Sequence, residues 1–73
     1  MPFKVRYPNG TVLLEADSFL EAAHKSTKDS RSGSFLYTRN RMITNQIPVV
    51  VESITSGREE NFLYTEDGDF QEI

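Results

Sequence analysis

Asparagine followed by glycine between two alternating apolar runs is the local signal that most restricts what this chain can fold into. Residues 3–16 contain it: FKVRY, then PNG, then TVLLEA. A two-residue turn at Asn9-Gly10 of the kind favoured between strands needs positive φ at both central positions, which Asn and Gly accept. Such a turn also fixes the pairing. Tyr7 is expected opposite Val12, Val5 opposite Leu14 and Phe3 opposite Ala16, all on one side of the ribbon. On the other side Lys4 falls opposite Glu15 and Arg6 opposite Leu13. One face is then apolar across both strands and the other brings opposite charges together. A period of two fits this stretch and a period of 3.6 does not.

A helix start follows directly. Ser18-Phe19-Leu20-Glu21 matches a capping box, in which the Ser18 hydroxyl accepts from the Glu21 N–H and the Glu21 carboxylate reaches back. Asp17 is an alternative cap, and an acid here suits the positive end of the helix dipole. Phe19, Leu20 and Ala23 form an apolar stripe, with Lys25 and Lys28 towards the other end. So short a helix depends on packing against the hairpin rather than on propensity.

After the helix, residues 29–34 (DSRSGS) read as a polar loop. Phe35-Leu36-Tyr37-Thr38 has the β-propensity of a strand. Residues 39–46 are open between a turn back into RMIT and an irregular excursion. Residues 47–54 read as a strand rich in β-branched residues, with Pro48 at its first position or on an edge. Two readings compete beyond residue 55. FLYT recurs at 62–65 and Asp67-Gly68 is a second hairpin signal, which would set Thr65 opposite Phe70 and Phe62 opposite Ile73. That closure also sets Glu66 against Asp69. The favoured reading is an acidic tail, mobile when free, whose aromatics await a partner. The expected architecture is α+β: a compact ββαββ domain over residues 1–54, with a small antiparallel sheet and one short helix, and an acidic C-terminal extension over 55–73.

At 73 residues there is room for one domain with a small core, and the absence of cysteine removes disulfides and thiolate metal sites as supports. The N-terminus shows no signal-peptide pattern, and no apolar run approaches the roughly 20 residues needed to span a bilayer. A cytoplasmic location is expected. Charge is divided unevenly along the chain. Residues 1–45 carry seven basic residues against four acids, a net +3, whereas residues 46–73 set Arg58 against seven acids, a net −6.

Chemistry-bearing motifs are scarce. His24, the single histidine, has no nucleophile or orienting partner in a recognisable spacing and reads as a partly exposed helix residue. The acids of Glu66-Asp67-Gly68-Asp69 fall short of a calcium loop. The expectation is a protein that is not an enzyme and uses no metal or cofactor. A basic strip of Lys4, Arg6, Arg39 and Arg41, near Tyr37, could meet phosphates, although a pI near 5.0 argues against nucleic acid as the main partner. Protein binding fits better. The same four basic residues, with Phe62, Tyr64 and Phe70 of the extension, are the expected contact residues, since aromatics and arginines are common anchors. The free chain is expected to be monomeric.

In length and general character the chain resembles the small RNA-polymerase-binding transcription regulators of Xanthomonas phages. The resemblance rests on no signature motif, and the unit FKVRYPNGTVLLEADSFLEAAHK would equally suit an anti-CRISPR or another phage inhibitor. It implies a cytoplasmic host-cell regulator that binds RNA polymerase, inhibits initiation or promotes antitermination, and works without catalysis. It assigns no role to any particular residue.

Overall fold

A computed structural model of the chain describes residues 1–28 and 34–73; the expected loop at 29–34 lies, up to residue 33, outside the described residues. Strands β1 (Pro2–Tyr7) and β2 (Gly10–Glu15) form the first hairpin, followed by helices α1 (Phe19–Ser26) and α2 (Ser34–Asn45). Strands β3 (Val49–Ser53), β4 (Glu59–Tyr64) and β5 (Phe70–Glu72) complete the chain. All pairings are antiparallel and the spatial order is β2-β1-β3-β4-β5, so β3 enters beside β1 after the helices cross over it. Phe3, Val5, Tyr7, Val12, Val49 and Val51 are buried on one face of the sheet, as alternation requires. Ala22 and Ala23 of α1 and Phe35 and Met42 of α2 cover that face. The opposite face has no helix over it among the described residues.

The hairpin forms, but the turn sits on Pro8-Asn9, with Tyr7 opposite Gly10 and Val5 opposite Val12. The pairing is therefore displaced by two residues from the one expected. A turn at Asn9-Gly10 would make Pro8 a flanking strand residue, and Pro8 has no N–H to give the ladder. At the first central position its fixed φ is an advantage, and glycine is favoured at the last position of the same turn. Neither Asn9 nor Gly10 takes positive φ. An even displacement leaves every side chain on its expected face. It does undo the Lys4–Glu15 pairing: Lys4 lies opposite Leu13, and Glu15 opposite Pro2.

Helix α1 begins as the capping box requires. The Glu21 N–H donates to Ser18 Oγ at 3.1 Å, and the Glu21 carboxylate accepts from the Asp17 N–H at 2.9 Å. The Asp17 N–H holds the Glu21 carboxyl below its ordinary range, and Lys25 adds to it. The buried stripe is Ala22, Ala23 and Ser26, with Phe19 partly buried, whereas Leu20 is exposed rather than facing the core.

The larger departure is α2, which replaces the strand expected at 35–38 and the ambiguous segment at 39–46. Phe35, Thr38 and Met42 are buried at helical spacing, so one turn after another meets the sheet. The helix ends with Gln46 at φ 53 and the Ile47 N–H donating to Met42 O at 3.1 Å, a Schellman closure with Pro48 just beyond.

The acidic C-terminal segment does not trail from a finished domain: β4 pairs with β3, and β5 with β4. The second hairpin sets Tyr64 opposite Phe70 and Phe62 opposite Glu72, one residue away from the expected pairing. A two-residue turn would have placed Phe70 on the face opposite to Phe62 and Tyr64. The longer loop, with Gly68 at φ 88, brings all three aromatics to the helix side.

Candidate binding surfaces

The three aromatics expected to meet a partner are instead drawn inward. Phe62 and Phe70 are only 3% and 6% exposed, and Tyr64 packs against the same core. Phe35 of α2 meets Tyr64 edge-to-face at 4.9 Å between ring centres, and Tyr64 meets Phe70 at 5.1 Å. The His24 ring stands on Phe70 at 5.2 Å, with Nε2 3.2 Å from an Asp69 carboxylate oxygen. His24 is thus a half-exposed helix residue that ties α1 to the β4–β5 loop.

The four basic residues expected to form one strip are divided between two faces. Lys4 and Arg6 project from the uncovered face of the sheet. Arg6 bridges two strands there, Nη1 lying 3.0 Å from Glu52 and Nη2 2.7 Å from Glu59. Glu59 above all, with Glu52, raises the Arg6 pKa above its ordinary value. The guanidinium is engaged within the protein, and the two carboxylates offset its charge locally.

Arg39 and Arg41 lie across the molecule on α2. Arg39 sits over the Tyr64 ring, Cζ 6.0 Å from its centre. Arg41 is exposed and has no ion pair among the described residues. Beside it, Leu36 is 71% and Tyr37 83% exposed, the exposed large hydrophobic side chains of the helix. Tyr37 and Arg41 are one turn apart, as are Leu36 and Asn40, so the four share one outward surface. The helix carries no acid. This combination of exposed apolar area, a tyrosine and an unpaired arginine was missed in the sequence because FLYT reads as a strand, which would have split Leu36 from Tyr37.

The acidic loop between β4 and β5 is closed on itself. Thr65 N–H donates to Asp69 O at 2.8 Å and Gly68 N–H to Thr65 O at 3.0 Å. The Thr65 hydroxyl bonds the Asp67 carboxylate and accepts from the Asp69 N–H at 3.2 Å. Among the described residues no group of His, Asp or Glu side chains is arranged to hold a metal ion. On the helix side of the sheet the Glu60 carboxyl is raised above its ordinary range, by burial first and then by the neighbouring Glu72. Among the described residues no helix is long and apolar enough to cross a membrane.

No protein-family model, no curated protein and no solved structure matches this chain. The fold and these surfaces define a small two-layer α+β domain with one exposed, acid-free helix face.

Proposed function

We propose that the chain is a non-enzymatic binding protein that docks through the outer surface of α2 onto an acidic segment of a protein partner. The observation that carries this reading is the exposure of Leu36 and Tyr37 beside Arg41, which has no ion pair among the described residues. A tyrosine and an arginine of this kind supply most of the energy in many interfaces, and an acid-free helix speeds encounter with a negatively charged target. For the target we propose bacterial RNA polymerase, with the chain acting as a phage-type regulator that inhibits initiation or promotes antitermination. That assignment is supported by the resemblance in length and character alone.

Purified bacterial RNA polymerase immobilised on a sensor tests both parts. Wild type is expected to bind. Tyr37→Ala and Arg41→Glu should each weaken binding by roughly tenfold or more, while Lys4→Glu, on the far face, should leave it within about twofold. Absence of binding rejects polymerase as the target, and binding insensitive to both α2 variants rejects the surface. The same helix could engage a single-stranded nucleic acid, with Arg39 and Arg41 at phosphates and Tyr37 under a base. In that case affinity for an oligonucleotide would fall with salt at a log–log slope of about −1.4 or steeper, the value for two phosphate contacts.

A further inference from the structure

The two edges of the sheet differ. β5 is three residues long, and the acids Glu66, Asp67 and Asp69 precede it, so brevity and charge both discourage pairing there. β2 runs for six residues in unbroken register with β1, and its sequence GTVLLE contains neither proline nor lysine. The ladder tells which of its backbone groups are free. Met1 and Ala16 exchange backbone bonds at 3.0 Å, so Val12 and Leu14, in the same phase, also bond inward. Thr11, Leu13 and Glu15 therefore turn their N–H and C=O outward. Among the described residues only Lys25 reaches this row, its Nζ donating to Glu15 O at 3.2 Å. Leu13 is 60% exposed, and Ile54 beside it on the uncovered face is exposed as well.

We infer that β2 pairs with β2 of a second copy, antiparallel and two-fold symmetric about Leu13, to give one sheet running through both copies. The sequence of the edge is what selects a second copy as the occupant. With Leu13 opposite Leu13, each Thr11 falls opposite Glu15, and every outward N–H and C=O from Thr11 to Glu15 meets a partner. Leu13 packs on Leu13 on the uncovered face, and Val12 on Leu14 on the helix side. Glu15 meets a threonine hydroxyl rather than another acid. A slip of one residue would set outward groups against inward ones, and a slip of two towards Glu15 would set Leu13 against that acid. The contact is one strand long, below the area of a tight dimer, so the affinity falls in the range of about 10 µM to 1 mM. The monomer expected from the sequence is then the dilute form.

Sedimentation equilibrium over roughly that concentration range tests the inference. Wild type should move from 8.3 kDa towards twice that mass. Leu13→Pro removes only an outward N–H, which an edge strand tolerates, and Leu13→Lys sets two ammonium groups face to face. Both should stay monomeric, with a wild-type circular dichroism spectrum for Leu13→Lys. Because the chain has no cysteine, Leu13→Cys reports directly: it should cross-link on mild oxidation, whereas Gln71→Cys on the β5 edge should not. A wild type that stays monomeric throughout overturns the inference and leaves the edge to a foreign strand. So does a dimer that survives Leu13→Lys, or equal cross-linking at 13 and 71.

Discussion

Tyr7 shows how one polar atom is accommodated in a core this small. Its ring is buried under both helices, edge-to-face with Phe35 at 6.1 Å, and its hydroxyl bonds Ser26 Oγ, which in turn donates to Ala23 O at 2.6 Å. The proton therefore runs from tyrosine to serine to a helix carbonyl, and none of the three is stranded; among the described residues no buried side-chain polar atom lacks a partner. Burial above all pushes the Tyr7 phenol up to about 12. Unfolded, the same group titrates near 10. Below pH 10 it is neutral in both states and its effect on stability is constant. Between about pH 10 and 12 the unfolded chain releases the proton while the folded one keeps it, so stability falls with rising pH by up to about 1.4 kcal/mol per unit. Tyr7→Phe should be the less stable protein at pH 8, by about 1 kcal/mol for the lost hydrogen bond. That deficit should shrink, then reverse, in urea titrations carried towards pH 11.5. Parallel curves for the two proteins would show that the phenol is solvated in the folded state.

At the scale of elements, what could be read from the residues was local, and what could not depended on partners distant in the chain. The capping box at Ser18 needs only its own turn and was legible. The apolar face of the first hairpin was legible too, although its register was not, because the Asn9-Gly10 signal competes with the missing N–H of Pro8. Helix α2 was the least legible element. Phe35, Leu36, Tyr37 and Thr38 favour a strand individually, and the helical spacing of Phe35, Thr38 and Met42 includes a threonine, which does not register as apolar. Only the sheet beneath makes Thr38 a core residue. The candidate site depends on α2: with residues 35–38 as a strand, Arg39 and Arg41 fall beside Lys4 and Arg6, whereas the helix sets the two pairs on opposite faces of the molecule. The end of α2 also carries a correctable strain. Gln46 takes a left-handed conformation that glycine adopts without a Cβ penalty. Gln46→Gly should stabilise the domain by about 0.5–1 kcal/mol, after allowing for the added freedom of the unfolded chain. The shift in urea midpoint measures this, and a loss of stability would mean that the Gln46 side chain makes a contact worth more than the strain.

At the scale of the whole molecule, the division of charge along the sequence does not correspond to a division of structure. The net negative segment from residue 46 onward supplies β3, the centre of the sheet, as well as β4 and β5. Of its acids, Glu52 and Glu59 flank Arg6 on the uncovered face and Asp69 meets His24, while Val49, Val51, Phe62 and Phe70 of the same segment fill the core. A composition-based boundary at residue 55 therefore cuts through a packed unit. Removing residues 55–73 would strip β4 from β3, expose the helix-side face of Val49 and Val51, and take away the Tyr64–Phe70 pair on which Phe35 rests. Loss of one buried phenylalanine costs about 3–5 kcal/mol, and a domain of this length has about 4–11 kcal/mol in total. The truncated chain is expected to be unfolded, with no cooperative urea transition, and Phe70→Ala alone should lower the transition midpoint by about a quarter or more. A cooperative transition retained by residues 1–54 would show that the first hairpin and the helices form a core of their own. The acidic end would then be the mobile extension that its composition suggests, and its aromatics would again be available to a partner.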